Sequence, residues 1–423
     1  MKWRLAGTAA LVASAFTTLA AAQDVQPDPM SRLEARYRVQ IDALIDSARQ
    51  AGLPWGAVRS KALEGVNMRV DAPKIVLVVR QYYANLTKAR AVLELGFVRM
   101  LTSTETRQLL TAAEEALPIA KALADDNLLA RALYALGLFY FSAMEFERSV
   151  KALEQARVHA RAAADRGAEA DIVFFLGAST YFGPAPAAKA LPKWEQRIEQ
   201  SRDSPALEAA ASKTLGSLYG LRGEFDAGRT AIARALELYA ETGMSIHQAG
   251  STYALAELES WAGDAGAAER AVRPGYDAFA AMGGEGFRSG GAMYLARATY
   301  EQARYEEAER LNQVVKDLED EQGAVHWRTL KAKLLARAGA SEDAIALGRE
   351  AVALAKNSDS LIWQARTLMD LAEAFSLLGY RQEAAGAAEE ALQLHERKQN
   401  LPGAEQARAF LASVGATSYV EGA

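Results

Sequence analysis

The chain has 423 residues, half of them hydrophobic and about a quarter charged, with no cysteine and a formal net charge of -5. That is enough apolar material for a core, and the length fits two or three domains or one elongated repeat array. The missing cysteines exclude disulfides, thiolate catalysis, zinc fingers and iron–sulfur ligation, and a pI near 5.7 opposes non-specific binding to nucleic acid.

The first 22 residues read as an export signal. Lys2 and Arg4 form a positive start, Leu5 to Leu19 is uncharged, and Ala20-Ala21-Ala22 supplies the small residues a signal peptidase reads. Cleavage is expected after Ala22, giving a periplasmic or secreted chain; retention as an anchor is the alternative. No later stretch has 18 uncharged apolar residues in a row, so no transmembrane segment is expected after cleavage.

Residues 23–30 form a linker, and residues 31–100 a small helical region of unassigned role. Leu33, Tyr37, Ile41, Leu44 and Ile45 lie at helical spacing between Arg32 and Gln50. Trp55 opens a second helix through Leu63, and Asp71-Ala72-Pro73 signals the start of a third. Ile75 to Val79 has β-branched content, but Ile75, Val78, Val79, Tyr82 and Leu86 continue at helical spacing, which predicts helix.

From about residue 105 to residue 400 one pattern repeats: a bulky residue, two polar ones, then a small one. It ends at Ser149, Gly228, Ala268, Ala308, Ala344 and Ala384, steps of 36 to 40 residues once the double first interval is halved at Ala188. Seven units follow, each long enough for two helices. The small residue lets the two axes of a pair approach closely, and stacking the pairs builds the core. Leu401 to Val414 is expected to cap the array.

Leu136-Gly137-Leu138-Phe139-Tyr140 followed by Phe146, Ser149, Leu153 and Ala156 resembles the tetratricopeptide repeat. So does Leu215-Gly216-Ser217-Leu218-Tyr219 with Gly223, Phe225, Gly228, Ile232 and Ala235. The resemblance implies an all-α, right-handed α/α superhelix whose first helices line a concave groove. Aligned with that family, Arg131, Tyr134, Phe141, Lys213, Tyr253, Trp261, Arg297, Tyr300 and Lys333 would point inward. Aromatics with arginine and lysine suit a peptide bearing acidic and apolar side chains. The family's lysine–asparagine carboxylate clamp is absent, because Ser217, Glu257 and Arg297 hold the corresponding positions.

Residues 165–400 also resemble the C-terminal helical-repeat region of bacterial signalling proteins that carry cyclase and AAA-type ATPase domains. Tyr181-Phe182-Gly183-Pro184-Ala185-Pro186 and Leu221-Arg222-Gly223-Glu224-Phe225-Asp226 carry this likeness, with Ala271-Val272-Arg273-Pro274-Gly275-Tyr276 after them. No G-x-x-x-x-G-K-[ST] motif occurs, so the resemblance implies the scaffold without those activities.

Chemistry is sparse. His159, His247, His326 and His395 lie far apart, without metal-binding spacing, and read as helix-end or surface residues. Gly283-Gly284-Glu285-Gly286 with Gly290-Gly291 reads as a helix stop followed by a close helix contact, not a phosphate cradle. Gly183-Pro184-Ala185-Pro186 reads as a stiff turn. No catalytic residue, metal ligand or cofactor is expected. The sequence therefore points to an exported, non-catalytic bacterial scaffold or adaptor that binds a protein or peptide and no nucleic acid. The alternative is a small-molecule sensor with a pocket inside the superhelix.

Overall fold

A computed structural model describes residues 28–51, 53, 55–102, 107–318 and 321–416. The export signal at 1–22 and residues 23–27 of the linker lie outside the described residues. Nineteen α-helices and no strand are found among those described. The chain divides into two compact units at Tyr83–Ala84.

In the first unit, α1 (Ala35–Gln50), α2 (Trp55–Asn67) and the start of α3 (Ala72–Thr102) bury Ile41, Ile45, Val58, Ala62, Ile75 and Val79. Of the residues the helical spacing selects, Ile41, Ile45, Ile75 and Val79 are buried and Val78 is exposed, while Val76 is buried; the β-branched run at 75–79 is helical. Gly65 lies where a Cβ would come 2.9 Å from the Ile75 side chain. Asp28 caps the 3-10 turn Pro29–Arg32 through the Met30 amide and pairs with Arg59 at 2.9 Å.

The second unit continues with α4 (Arg107–Leu123) and then seven helix pairs. They are α5 (Asp126–Ser142) with α6 (Phe146–Ala162), α7 (Arg166–Phe182) with α8 (Ala187–Glu199), and α9 (Pro205–Leu221) with α10 (Phe225–Glu241). Next come α11 (Ser245–Ala262) with α12 (Ala265–Met282), and α13 (Glu285–Glu301) with α14 (Tyr305–Asp317). The last are α15 (Glu321–Arg337) with α16 (Ser341–Ala355) and α17 (Leu361–Leu377) with α18 (Arg381–Lys398). The unit is an all-α solenoid of helix hairpins: each first helix packs on the first helix of the next pair and, except for α7, on its own partner, while α8 packs on α9 instead.

The small-residue rule holds at six of the seven pairs. Ser149, Gly228, Ala268, Ala308, Ala344 and Ala384 are buried at the crossings. A Cβ at Gly228 would lie 2.4 Å from Leu258 and 2.9 Å from the Gly216 carbonyl, so this crossing admits no side chain. The exception is Ala188, which is exposed; Ala187 and Ala190 are the buried small residues of α8. Counted from the first residue of each second helix, the small residue stands fourth, and in α8 that position is Ala190, two residues beyond Ala188.

The last helix, α19 (Leu401–Ala416), closes the end of the array. Its Phe410 and Val414 pack on Leu371, Phe375 and Ala384 of the final pair. It also reaches α9 and α11, because the second unit curls until its late helices touch its early ones. The edge of Phe146 meets Trp363 with ring centres 5.2 Å apart, and Phe182 lies 4.9 Å from the same indole.

Two long-range caps hold this curl. The Asp359 carboxylate accepts from the backbone amides of Phe146 at 2.9 Å and Glu147 at 2.7 Å, at the start of α6. Glu145, the local cap position, supplies no side-chain bond. Lys398 is fully buried and donates to the carbonyls of Thr180, Gly183 and Ala185, where α7 ends and the proline turn begins. Anions belong at helix starts and cations at helix ends, and both sites follow that rule across more than 200 residues of chain. The 183–186 turn is stiff, and its carbonyls receive a lysine.

Candidate functional site

A cavity of about 480 Å³ opens inside the curl, between the first helices of the first five pairs. That volume lies in the range of small-ligand pockets. One wall is aromatic: Tyr134 and Phe141 from α5, Phe174, Phe175 and Tyr181 from α7, and Phe287 from α13. The rings meet edge to face, with Phe141 and Phe175 5.7 Å apart and Phe174 and Phe175 5.2 Å apart. Ala178 on α7 and Ala254 on α11 also border the cavity and bring only a methyl group to it, while Gly250 makes room for the Phe174 ring.

Gly290 and Gly291 also admit the Tyr253 ring. A Cβ at Gly291 would lie 2.5 Å from the Tyr253 hydroxyl, which donates to the Phe287 carbonyl at 3.1 Å. Gly283 ends α12 in the left-handed region at φ +67. The glycine cluster is therefore a stop and a close contact, as its pattern implies.

Lys213 comes from the middle of α9 and is 5% exposed. Its Nζ donates to the Phe174 carbonyl at 3.1 Å and sits 3.7 Å from the centre of the Phe174 ring. Burial pushes the amine down to about 7. Arg131 at the cavity edge pairs with Glu94 at 2.8 Å. His247 Nε2 lies 3.0 Å from Asp171 but off the line of a hydrogen bond.

Behind the aromatic wall runs a buried chain. Trp261 Nε1 donates to the Tyr181 hydroxyl at 2.8 Å, and that hydroxyl donates to Glu257 at 3.0 Å. Arg366 from α17 completes the chain with a 2.9 Å bond to Glu257, its guanidinium 4.4 Å over the Trp261 ring. Burial works against the Glu257 carboxylate, yet Arg366 outweighs it and holds the group below the usual range. Burial, with Glu257 alongside, pushes the Tyr181 hydroxyl well up and keeps it a donor.

Nine residues were expected on the concave face. Arg131, Tyr134, Phe141, Lys213 and Tyr253 border the cavity. Trp261 does not: it is 5% exposed, and its ring lies against His395 and Arg366 in the core. Arg297, Tyr300 and Lys333 are also elsewhere. Arg297 and Lys333 both bind Asp370 at 2.9 Å, and Tyr300 donates to Glu373 at 2.6 Å while accepting from Arg337. Arg297, Tyr300 and Lys333 meet α17, which supplies the carboxylates of Asp370 and Glu373.

The sequence reading missed Asp171, Phe174, Phe175, Glu257 and Arg366. Glu257 had a signal, a carboxylate set at helical spacing between Tyr253 and Trp261. Arg366 and Asp370, four residues apart on α17, had another. Two histidines also differ from expectation. His326 and His395 are buried in the core, which pushes each down to about 3 and keeps it neutral. Among the described residues no group of three His, Asp or Glu is placed to hold a metal ion.

No family model and no curated protein sequence matches the chain. Among solved structures it is similar to a Rap protein complexed with competence and sporulation factor, at 11% identity and a TM-score of 0.40. That match covers 91% of this chain and 99% of the other. It is similar to yeast Tom70 at 12% identity and a TM-score of 0.30, over 86% of this chain and 96% of that one. The TPR domain of P58(IPK) matches at 14% identity and a TM-score of 0.23, over 77% and 99% respectively. None of these three names includes a cyclase or an ATPase.

Proposed function

We propose that the chain is a non-catalytic binding protein, an exported scaffold or adaptor that takes one segment of a protein or peptide partner into the cavity of its superhelix. The observation that carries this reading is the convergence of Arg131, Tyr134, Phe141, Lys213 and Tyr253, from three different first helices, on one open space. An apolar side chain of the partner fills the space between the rings, and an acidic one faces Lys213. Export rests on Lys2, Arg4 and the Ala20-Ala21-Ala22 ending. Among the described residues no helix is long and apolar enough to cross a membrane.

The enclosed volume favours a second reading, a small-molecule sensor, because 480 Å³ admits a compact ligand more readily than a long segment. Panning a displayed peptide library against the protein tests the first reading. The comparison is Ala254→Phe, which fills the cavity from α11. Enriched peptides with an acidic residue beside an aromatic one, lost with the variant, support peptide binding. No enrichment, together with stabilisation by one metabolite, moves the sensor reading ahead.

A further inference from the structure

We propose that the cavity takes a ligand group carrying one negative charge on a flat apolar body, with the anion seated against Lys213 and the body between the aromatic rings. The inference rests on the binding reading above and specifies the chemistry of what binds. It applies equally to an acidic peptide end and to a small aromatic acid.

The charges around the cavity support it. Arg131 has Glu94, and Arg366 behind the wall has Glu257. Lys213 has one backbone carbonyl and one ring face, and among the described residues no carboxylate pairs with it. One neutral acceptor and a cation–π contact do not replace the hydration an ammonium loses on burial. The amine therefore sheds its proton near neutral pH, unless a ligand brings the missing anion.

A single charge is specified because Asp171 also borders the space and repels a second one. A flat body is specified by the other lining. Phe174 and Phe175 present aromatic rings to the space, while Ala178 and Ala254 bring only a methyl group to it.

Binding of such a group is linked to a proton. The titratable groups facing the space are Glu94, Arg131 and Tyr134 from the α3–α5 side, and Asp171 and Tyr181 from α7. His247, Tyr253 and Glu257 come from α11 and Tyr294 from α13, while α8, α10 and α19, also packed on α9, contribute no lining residue. Burial is what lowers the Lys213 amine in the free protein. Below pH 7 the amine is charged with or without ligand, so affinity is flat. Above pH 7 the free amine is neutral and the bound one charged, so binding takes up a proton and affinity falls by up to about tenfold per pH unit.

Two fluorescent probes with related fused-ring bodies test this on the full chain. 1-Anilinonaphthalene-8-sulfonate carries one permanent charge, and N-phenyl-1-naphthylamine carries none. The expected result is sulfonate binding at least tenfold tighter at pH 6 than at pH 9, with the neutral probe unchanged. Lys213→Met should bind the neutral probe as the wild type does and lose tenfold or more for the sulfonate at pH 6. Ala254→Phe should lose both.

If both probes bind the wild type without pH dependence and Lys213→Met changes neither, the anion seat is wrong while the cavity stands as a site. Sulfonate binding that survives Ala254→Phe places the seat elsewhere and also overturns the proposal. If neither probe binds, the cavity is not an accessible site, and the binding reading falls with it. Circular dichroism of both variants separates loss of binding from loss of fold.

Discussion

Asp359 caps a helix that begins at Phe146: its two carboxylate oxygens accept from the amides of Phe146 and Glu147 across 213 and 212 residues of chain. Ser358 beside it donates to the Met144 carbonyl at 3.0 Å. One short connection between the sixth and seventh pairs therefore supplies a donor and an acceptor to the turn of the first pair. Removing a helix cap costs about 1 kcal/mol. Asp359→Ala should lower the denaturation midpoint by that order and speed proteolysis at the 143–146 turn, while Asp359→Asn keeps part of the effect. An unchanged midpoint in Asp359→Ala would mean that the curl is held without this cap.

Lys398 performs the opposite cap. Burial pushes its amine down to about 7, and Asp359 acts the other way. Its three carbonyl acceptors also favour the charged form, since a neutral amine has only two hydrogens to donate. Lys398→Met leaves the ends of α7 and the proline turn with unpaired carbonyls in a buried place, a loss of about 2 kcal/mol. Thermal melts of Lys398→Met and Asp359→Ala, alone and combined, check this. Coupled losses would show that the two caps close one interface.

Tyr253 and Trp261, which sequence alignment places together on the groove, should separate on substitution. Trp261→Ala removes a buried indole and leaves Tyr181 without its donor, at a cost of about 3 to 5 kcal/mol. Tyr253→Phe removes one hydroxyl that bonds the Phe287 carbonyl, about 1 kcal/mol. Urea melts followed by helical circular dichroism decide the matter; equal losses from the two would contradict their placement.

Two helical glycines make a paired test. A Cβ at Gly177 would lie 1.8 Å from Thr214 Oγ1, so Gly177→Ala should destabilise by about 1 to 3 kcal/mol through forced separation of α7 and α9. Gly386 on α18 has nothing within 4 Å of that position, and Gly386→Ala should stabilise by about 0.5 to 1 kcal/mol through helix propensity. Melting temperatures that move the same way in both would refute the packing argument.

Lys213 also predicts a pH dependence of stability. Its folded value is lowered to about 7 while the unfolded chain keeps the ordinary value of 10.5. Between these limits the unfolded state holds more protons, so stability rises with pH, by up to about 1.4 kcal/mol per unit, and is lost as pH falls toward 7. The comparison that isolates this residue is wild type against Lys213→Met from pH 7 to 10. The variant should show a shallower rise; parallel curves would mean that Lys213 is not held neutral.

The sequence by itself determined the repeat. Small residues at 36 to 40 residue steps, apolar spacing within each helix and the Gly283 stop are local features, and each reports what its own hairpin needs to pack. In α8, halving the double interval misplaced the small residue by two positions, at Ala188 and not Ala190. Of the nine residues that alignment with the repeat family selects, Arg131, Tyr134, Phe141, Lys213 and Tyr253 border the cavity. Whether an inward residue meets open space or another helix was decided only by the tertiary structure. The curl brings α17 onto Glu257, Arg297, Tyr300 and Lys333 and leaves Lys213 without a carboxylate. That outcome depends on small rotations summed over seven pairs and on caps between residues more than 200 positions apart, and such contacts leave no periodic trace in either segment.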